Sequence, residues 1–128
     1  MIKNISNLGD AAVYCDFGKE VNKEINTNVI KYFYSIRNKK IKGINNLTPS
    51  YNKLIISYDL KLTNFNEIKK KIENLNINEF FIQNNKELKI PVCCDEIFGL
   101  DIGILEKKLS LKKDKILENF FNKEYFCY

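Results

Sequence analysis

Apolar residues in this chain change their spacing along its length, and the order of those changes restricts it to few folds. Ala11, Val13, Cys15 and Phe17 alternate with Ala12, Tyr14 and Asp16, the period of a half-buried strand, and Gly18 closes the run. Ile25, Val29, Phe33 and Ile36 then recur at helical spacing as one apolar stripe, with Tyr32 and Tyr34 as its shoulders. Gly43 follows the Lys39-Lys40 pair, the place of a residue just beyond a helix end. Ile44 to Thr48 alternate weakly as a short strand, and Pro49, Ser50 and Asn52 read as a turn. Leu54, Ile56 and Tyr58 alternate with Ile55 and Ser57 as a further strand. Asn64 with Glu67 is a capping pair that opens a second helix, whose stripe is Phe65, Ile68, Ile72 and Leu75 and which Asn76 and Asn78 close. Phe80 to Ile82 is a short strand or a packed connection. Leu88, Ile90 and Val92 alternate as a last strand, placed at an edge by Pro91.

Strand, helix, strand, strand, helix, strand is the order of a split βαβ, ferredoxin-like domain of the α+β class. It is assigned to residues 1–92, with two helices on one face of an antiparallel sheet. Val13, Phe17, Val29, Phe33, Leu54, Ile56, Ile68 and Ile72 are its expected core. Residues 93–128 differ. Asp101 is placed to cap a short helix carrying Ile102, Leu105 and Leu109, and Ser110 another carrying Ile116, Leu117, Phe120 and Phe121. Tyr125 to Tyr128 reads as a strand that needs a partner.

Composition removes several function classes. With 45% hydrophobic residues the chain can bury a core, but no apolar run approaches the ~20 residues that span a bilayer. No apolar stretch near Met1 marks a signal peptide, so a cytoplasmic protein without a membrane partner is expected. Cys15, Cys93, Cys94 and Cys127 form no C-x-x-C pair and there is no histidine, so no metal site is expected and the thiols read as reduced and mostly buried. The net charge of +5 includes lysine clusters at 39–42, 69–71 and 107–115, which read as solvated surface. A nucleic-acid partner is not expected, because the confident strands carry Ala11, Val13, Leu54 and Ile56 where an RNA-reading sheet carries aromatics.

Catalytic constellations are equally scarce. Without histidine there is no Ser-His or Cys-His pair. The five glycines form neither common phosphate-binding loop. Asp95 and Glu96 are adjacent and read as exposed loop carboxylates.

Several segments, in order, carry a family likeness. Gly9, Asp10, Phe17 and Gly18 stand as an opening strand and turn. Pro49, Tyr51, Tyr58 and Asp59 stand as a proline turn and the strand that follows. Pro91, Gly99 and Asp101 stand as the entry to a second domain, and Glu124 and Tyr125 as its continuation. Together they resemble one bacterial family: the B subunit of 5-oxoprolinase, also called allophanate hydrolase subunit 1, which includes a sporulation histidine-kinase inhibitor and part of urea carboxylase's carboxyltransferase half.

The resemblance implies an N-terminal α/β domain followed by a cyclophilin-like barrel, of which residues 93–128 are the incomplete, helical start. The barrel's glycine-phenylalanine-x-proline-glycine-phenylalanine segment is expected after Tyr128, where the sequence stops. Cys94-Asp95-Glu96 stands where many members have tyrosine-glycine-glycine, and Phe120 where many have histidine. A fragment, a split gene product and a degenerate relative all fit. The implied function is a subunit, or part of one, in an ATP-dependent complex that converts 5-oxo-L-proline to L-glutamate. This chain would be scaffold or interface, inactive alone and without a cofactor of its own; ATP would belong to the assembled complex. Its partners would be the other subunits of the 5-oxoprolinase complex, with self-association through the C-terminal aromatics as a further expectation. A regulatory binding module such as a kinase inhibitor, or part of a urea/allophanate-type enzyme, is the alternative.

Overall fold

The computed structural model describes residues 1–77 and 87–128. It divides into two compact units, Met1–Gln83 with Tyr128, and Asn84–Cys127. The first holds β1 (Asn4–Asn7), β2 (Ala12–Asp16), α1 (Lys23–Lys39), β3 (Ile44–Pro49), β4 (Lys53–Tyr58) and α2 (Phe65–Glu73). The second holds α3 (Ile102–Leu109) and α4 (Lys113–Phe121).

The four strands form one antiparallel sheet in the order β1-β2-β4-β3. In the central pair Val13 lies opposite Ile56 and Cys15 opposite Leu54, all 0% exposed. Alternation puts these four with Phe17 and Tyr58 on one face. Val29, Tyr32 and Ile36 from α1 and Ile68 and Ile72 from α2 complete the same core. Closing a Leu or Ile side chain to water is worth roughly 1.5–3 kcal/mol, so this cluster supplies the main stabilisation of the unit.

Both helices start as their caps dictate. The Asn22 side chain accepts from the Ile25 amide at 2.9 Å and Asn64 from the Glu67 amide at 3.1 Å. The Glu67 carboxylate accepts in turn from the Asn64 side-chain amide at 3.0 Å and from the Thr63 hydroxyl at 2.9 Å. α2 ends at Glu73, with Asn74 as its C-cap, earlier than Asn76.

Several sequence expectations are corrected. Leu88, Ile90 and Val92 form no strand and are 77%, 76% and 50% exposed. The sheet edge next to β2 is taken by β1, a segment too short and too polar (NISN) to read as a strand on its own. Phe33 only flanks the core; Tyr32 takes its place and meets Phe17 edge-on at 5.4 Å. Lys40, in the left-handed region at φ 45°, caps α1 in place of Gly43. Gly43, at φ 93°, instead allows Thr63 close, since a Cβ there would lie 2.7 Å from the threonine methyl. Tyr125–Tyr128 is not a strand, Ser110 is the C-cap of α3, and Lys112 precedes α4. The Phe80–Ile82 segment lies outside the described residues.

Ile56→Ala should cost about 2–5 kcal/mol, the range for a fully buried aliphatic side chain. Phe33→Ala should cost less than the ~3–5 kcal/mol of a buried phenylalanine. Urea unfolding of the two variants checks the order; a larger loss at Phe33 would mean that the face of α1 is assigned wrongly.

Candidate functional site

The segments singled out in the first unit gather at the two ends of the sheet. At one end are Phe17, Gly18, Pro49 and Tyr51; at the other, Gly9, Asp10, Tyr58 and Asp59. The antiparallel register decides this, because Asp16 pairs with Lys53 and Ala12 with Ser57.

The first end is a hydrogen-bonded corner. The Phe17 amide donates to the Asn52 carbonyl at 3.1 Å, and the buried Asn52 side chain donates to the Glu20 carbonyl at 3.2 Å. From the first turns of α1, buried Asn26 donates to the Tyr51 carbonyl at 3.3 Å. Gly18, at φ 138°, donates its amide to Asp16 Oδ1 at 2.7 Å. Lys53 Nζ donates to the same Asp16 oxygen and to the Gly18 carbonyl at 2.5 Å. The Lys53 ammonium, then the Gly18 amide, hold the Asp16 carboxyl below its ordinary value, against a smaller opposing effect of burial. Asp16 is therefore a fixed anion near neutrality, unsuited to carry a proton, and Lys53 is committed to it.

The second end ties the β1–β2 turn to the exit of β4. Gly9 turns the chain at φ 60°. The buried Tyr58 donates its hydroxyl to the Asp10 carbonyl at 3.2 Å and its amide to the Ala11 carbonyl at 2.9 Å. The Asp59 amide donates to Gly43 at 2.8 Å, and its carbonyl accepts from Leu62 and Thr63 at the turn into α2. The Asp59 carboxylate accepts from the Lys61 amide at 2.8 Å.

The remaining positions belong to the second unit. Pro91 is exposed and Gly99 half-buried. The Asp95 carbonyl accepts from Phe98 and Gly99, and the Asp101 carbonyl from Ile104 and Leu105, although the Asp101 side chain makes no cap bond. Glu106 Oε1 accepts from the Lys113 amide at 2.8 Å and so caps α4 from α3. Glu124 is exposed, and Tyr125 lies against Phe120 at 5.4 Å. Asp95 and Glu96 are exposed, as read.

No group of three His, Cys, Asp or Glu side chains fit to hold a metal occurs among the described residues. Among them, too, no helix is long and apolar enough to cross a membrane. Sequence reading missed Lys53 and Asn26, and read Asn52 only as a turn residue. Their roles depend on a strand register and a helix position that bring together residues 25 to 37 apart in sequence, and no local pattern marks those roles. The expectation of mostly buried thiols is also corrected: Cys15 alone is buried, while Cys93 and Cys127 are exposed and Cys94 is intermediate.

Two outcomes follow from this geometry. The Asp16 contribution to stability is complete above the ordinary aspartate range of about 3.9 and is lost as pH falls through the lower folded-state value. Asp16→Asn should therefore lower the urea midpoint near neutral pH, with a deficit that shrinks as pH falls through the lowered folded-state value; a deficit that does not change with pH would locate the effect in packing. Burial pushes the Cys15 thiol up to about 12. A thiol reagent should thus modify Cys93 and Cys127 quickly, Cys94 more slowly, and Cys15 only in denaturant; fast labelling of all four would contradict the packing of β2.

Comparison with known proteins places this architecture. At 26% identity over 136 residues the chain matches the B subunit of 5-oxoprolinase from Bacillus subtilis (strain 168), covering 97% of itself and 57% of that relative. The crystal structure of a conserved uncharacterized protein from Pyrococcus horikoshii is similar at 25% identity, with TM-score 0.54, over 90% of this chain and 53% of that one. The N-terminal domain of the histidine kinase inhibitor KipI from Bacillus subtilis is similar at 25% identity, over 55% of this chain and 79% of that domain, with TM-score 0.48. The chain thus spans just over half the length of the first two. A family model, carboxyltransferase domain, subdomain C and D, matches residues 3–128, and the chain, as its sequence resemblance implied, belongs to that family.

Proposed function

We propose that this chain is the α/β part of a protein of the 5-oxoprolinase B-subunit type, and that it works as scaffold and interface for partner subunits. The observation that carries this reading is the match to the 5-oxoprolinase relative along 97% of the chain. In the assembled complex, 5-oxo-L-proline is opened to L-glutamate with hydrolysis of ATP, and ATP is bound there and not by this chain alone. A cytoplasmic setting fits that chemistry.

The finer fold reading accompanies it. The sheet order β1-β2-β4-β3 supports a ferredoxin-like reading in which β1 takes the edge otherwise given to the last strand. The second unit is the entry to a cyclophilin-like domain, and the family-motif positions are structural ones that hold strand ends and turns.

Physical chemistry supports a role through partners. Asp16 and Lys53, the most tightly bonded ionic pair of the first unit, satisfy each other. In the second unit neither helix has a fully buried residue, and Phe98, Phe121 and Tyr125 are 65%, 54% and 62% exposed. An apolar load of this size suits a covered surface.

The test is turnover of 5-oxo-L-proline with ATP by the purified chain, alone and mixed with partner subunits and a cyclophilin-like domain from a relative. Turnover is expected only in the mixture. Turnover by the chain alone would overturn the scaffold reading, and a mixture that assembles without turnover would overturn the 5-oxoprolinase assignment.

A further inference from the structure

The outer edge of β3 combines three features. First, β3 is the last strand of the sheet, and among the described residues the backbone of Asn45–Thr48 bonds to no element other than β4. An edge strand of this kind presents unpaired N–H and C=O groups. Its ends are blunted, by an irregularity between Ile44 and Asn46 and by Pro49, but Asn46, Leu47 and Thr48 carry neither a charge nor a proline.

Second, a groove of about 320 Å³ runs between this strand and the end of α1, with an apolar floor that includes Phe33, Ile41 and Leu47. Third, its charges have one sign. Arg37 and Lys40 line it, and the Arg37 guanidinium stands 5.9 Å from the Phe33 ring centre. From Arg37 to Tyr58 the sequence contains no carboxylate at all, and among the described residues Arg37, Lys39, Lys40 and Lys42 form no ion pair.

We infer that the β3 edge and its groove accept an acidic, extended segment of another polypeptide, which adds to the sheet as a fifth strand. Strand addition supplies main-chain hydrogen bonds, and alternate side chains supply specificity. Residues of the added strand that face the groove lie two apart. An apolar one fits over Phe33, Ile41 and Leu47, and a carboxylate at the next such position reaches Arg37 and Lys40. A second copy of this chain is a poor occupant, because a two-fold pairing through this edge would bring the same cationic groove from each copy together. This surface stands independently of the proposed 5-oxoprolinase role, since the occupant is defined by its chemistry alone.

The test uses the full 128-residue chain labelled for NMR, and a blocked hexapeptide with Val, Glu and Val at alternate positions and Thr between them. Shifts should change at Asn45–Thr48, Phe33 and Arg37. Replacing the peptide's Glu by Lys, or methylating its main-chain nitrogens, should abolish the changes. Arg37→Glu combined with Lys40→Glu, both at exposed positions, should weaken binding at least about tenfold. No perturbation at millimolar peptide, perturbation centred on β1, or equal binding of the methylated peptide would overturn the inference. So would tighter binding of a single-stranded oligonucleotide at the same residues, or a peptide-free dimer protected along β3. The methylated peptide tests the unaltered protein, so the result does not depend on the variant folding.

Discussion

The pairing of β2 with β4 puts Val13 against Ile56 and Cys15 against Leu54, and all four are closed to solvent. Two chain segments some forty residues apart meet there, so the ladder fixes everything between and beside them. β3 hangs on β4 through a short turn, and β1 hangs on β2. The buried face of that central pair is also the surface on which the stripes of α1 and α2 form one cluster. A slip of one residue would send Val13 and Cys15 to the opposite face and bring Tyr14 and Asp16 inward. Burying the Asp16 charge and leaving Lys53 unpaired would forbid that slip as firmly as the apolar pattern favours the observed register.

The same register builds the polar corner. Asp16 and Lys53 are directly opposite at the end of the ladder, and Gly18 supplies both an amide to the acid and a carbonyl to the base. Asn52 and Asn26 then satisfy the carbonyls of the loops that close over that end. Buried side-chain amides in such places offset their desolvation only when their partners are fixed, and here the partners are backbone groups of neighbouring segments. The corner is thus a joint between β2, the β3–β4 turn and the start of α1. Its charges serve the architecture.

The second unit follows a different balance. Its two helices are eight and nine residues long. Helices so short are marginal in isolation and depend on packing. The Glu106 bond to the start of α4 joins them, and Phe120 of α4 meets Phe121 and Tyr125, while much of their apolar surface faces outward.

Strand and helix identity in the first unit was legible in sequence wherever a residue's environment repeats with the period of its own element. Val13, Cys15 and Phe17 show this, as do Leu54, Ile56 and Tyr58, and the Asn64–Glu67 cap. Periodicity also placed both helix stripes, though it turned α1 far enough to exchange Phe33 for Tyr32, because a helical stripe tolerates either residue at its margin. Alternation misled at Leu88–Val92, since apolar spacing in a short run registers the possibility of a strand and not the presence of a neighbour to pair with. It was silent at Asn4–Asn7, whose strand state comes from β2 beside it. Sequence by itself determined the class of fold, most of the core residues and the absence of histidine chemistry, for these depend on local period and composition. Only the tertiary structure decided which edge β1 fills, that Asp16 meets Lys53, and that Arg37 and Lys40 line a groove beside the outer edge of β3, because each depends on how separate elements meet in space and not on the period of any one of them.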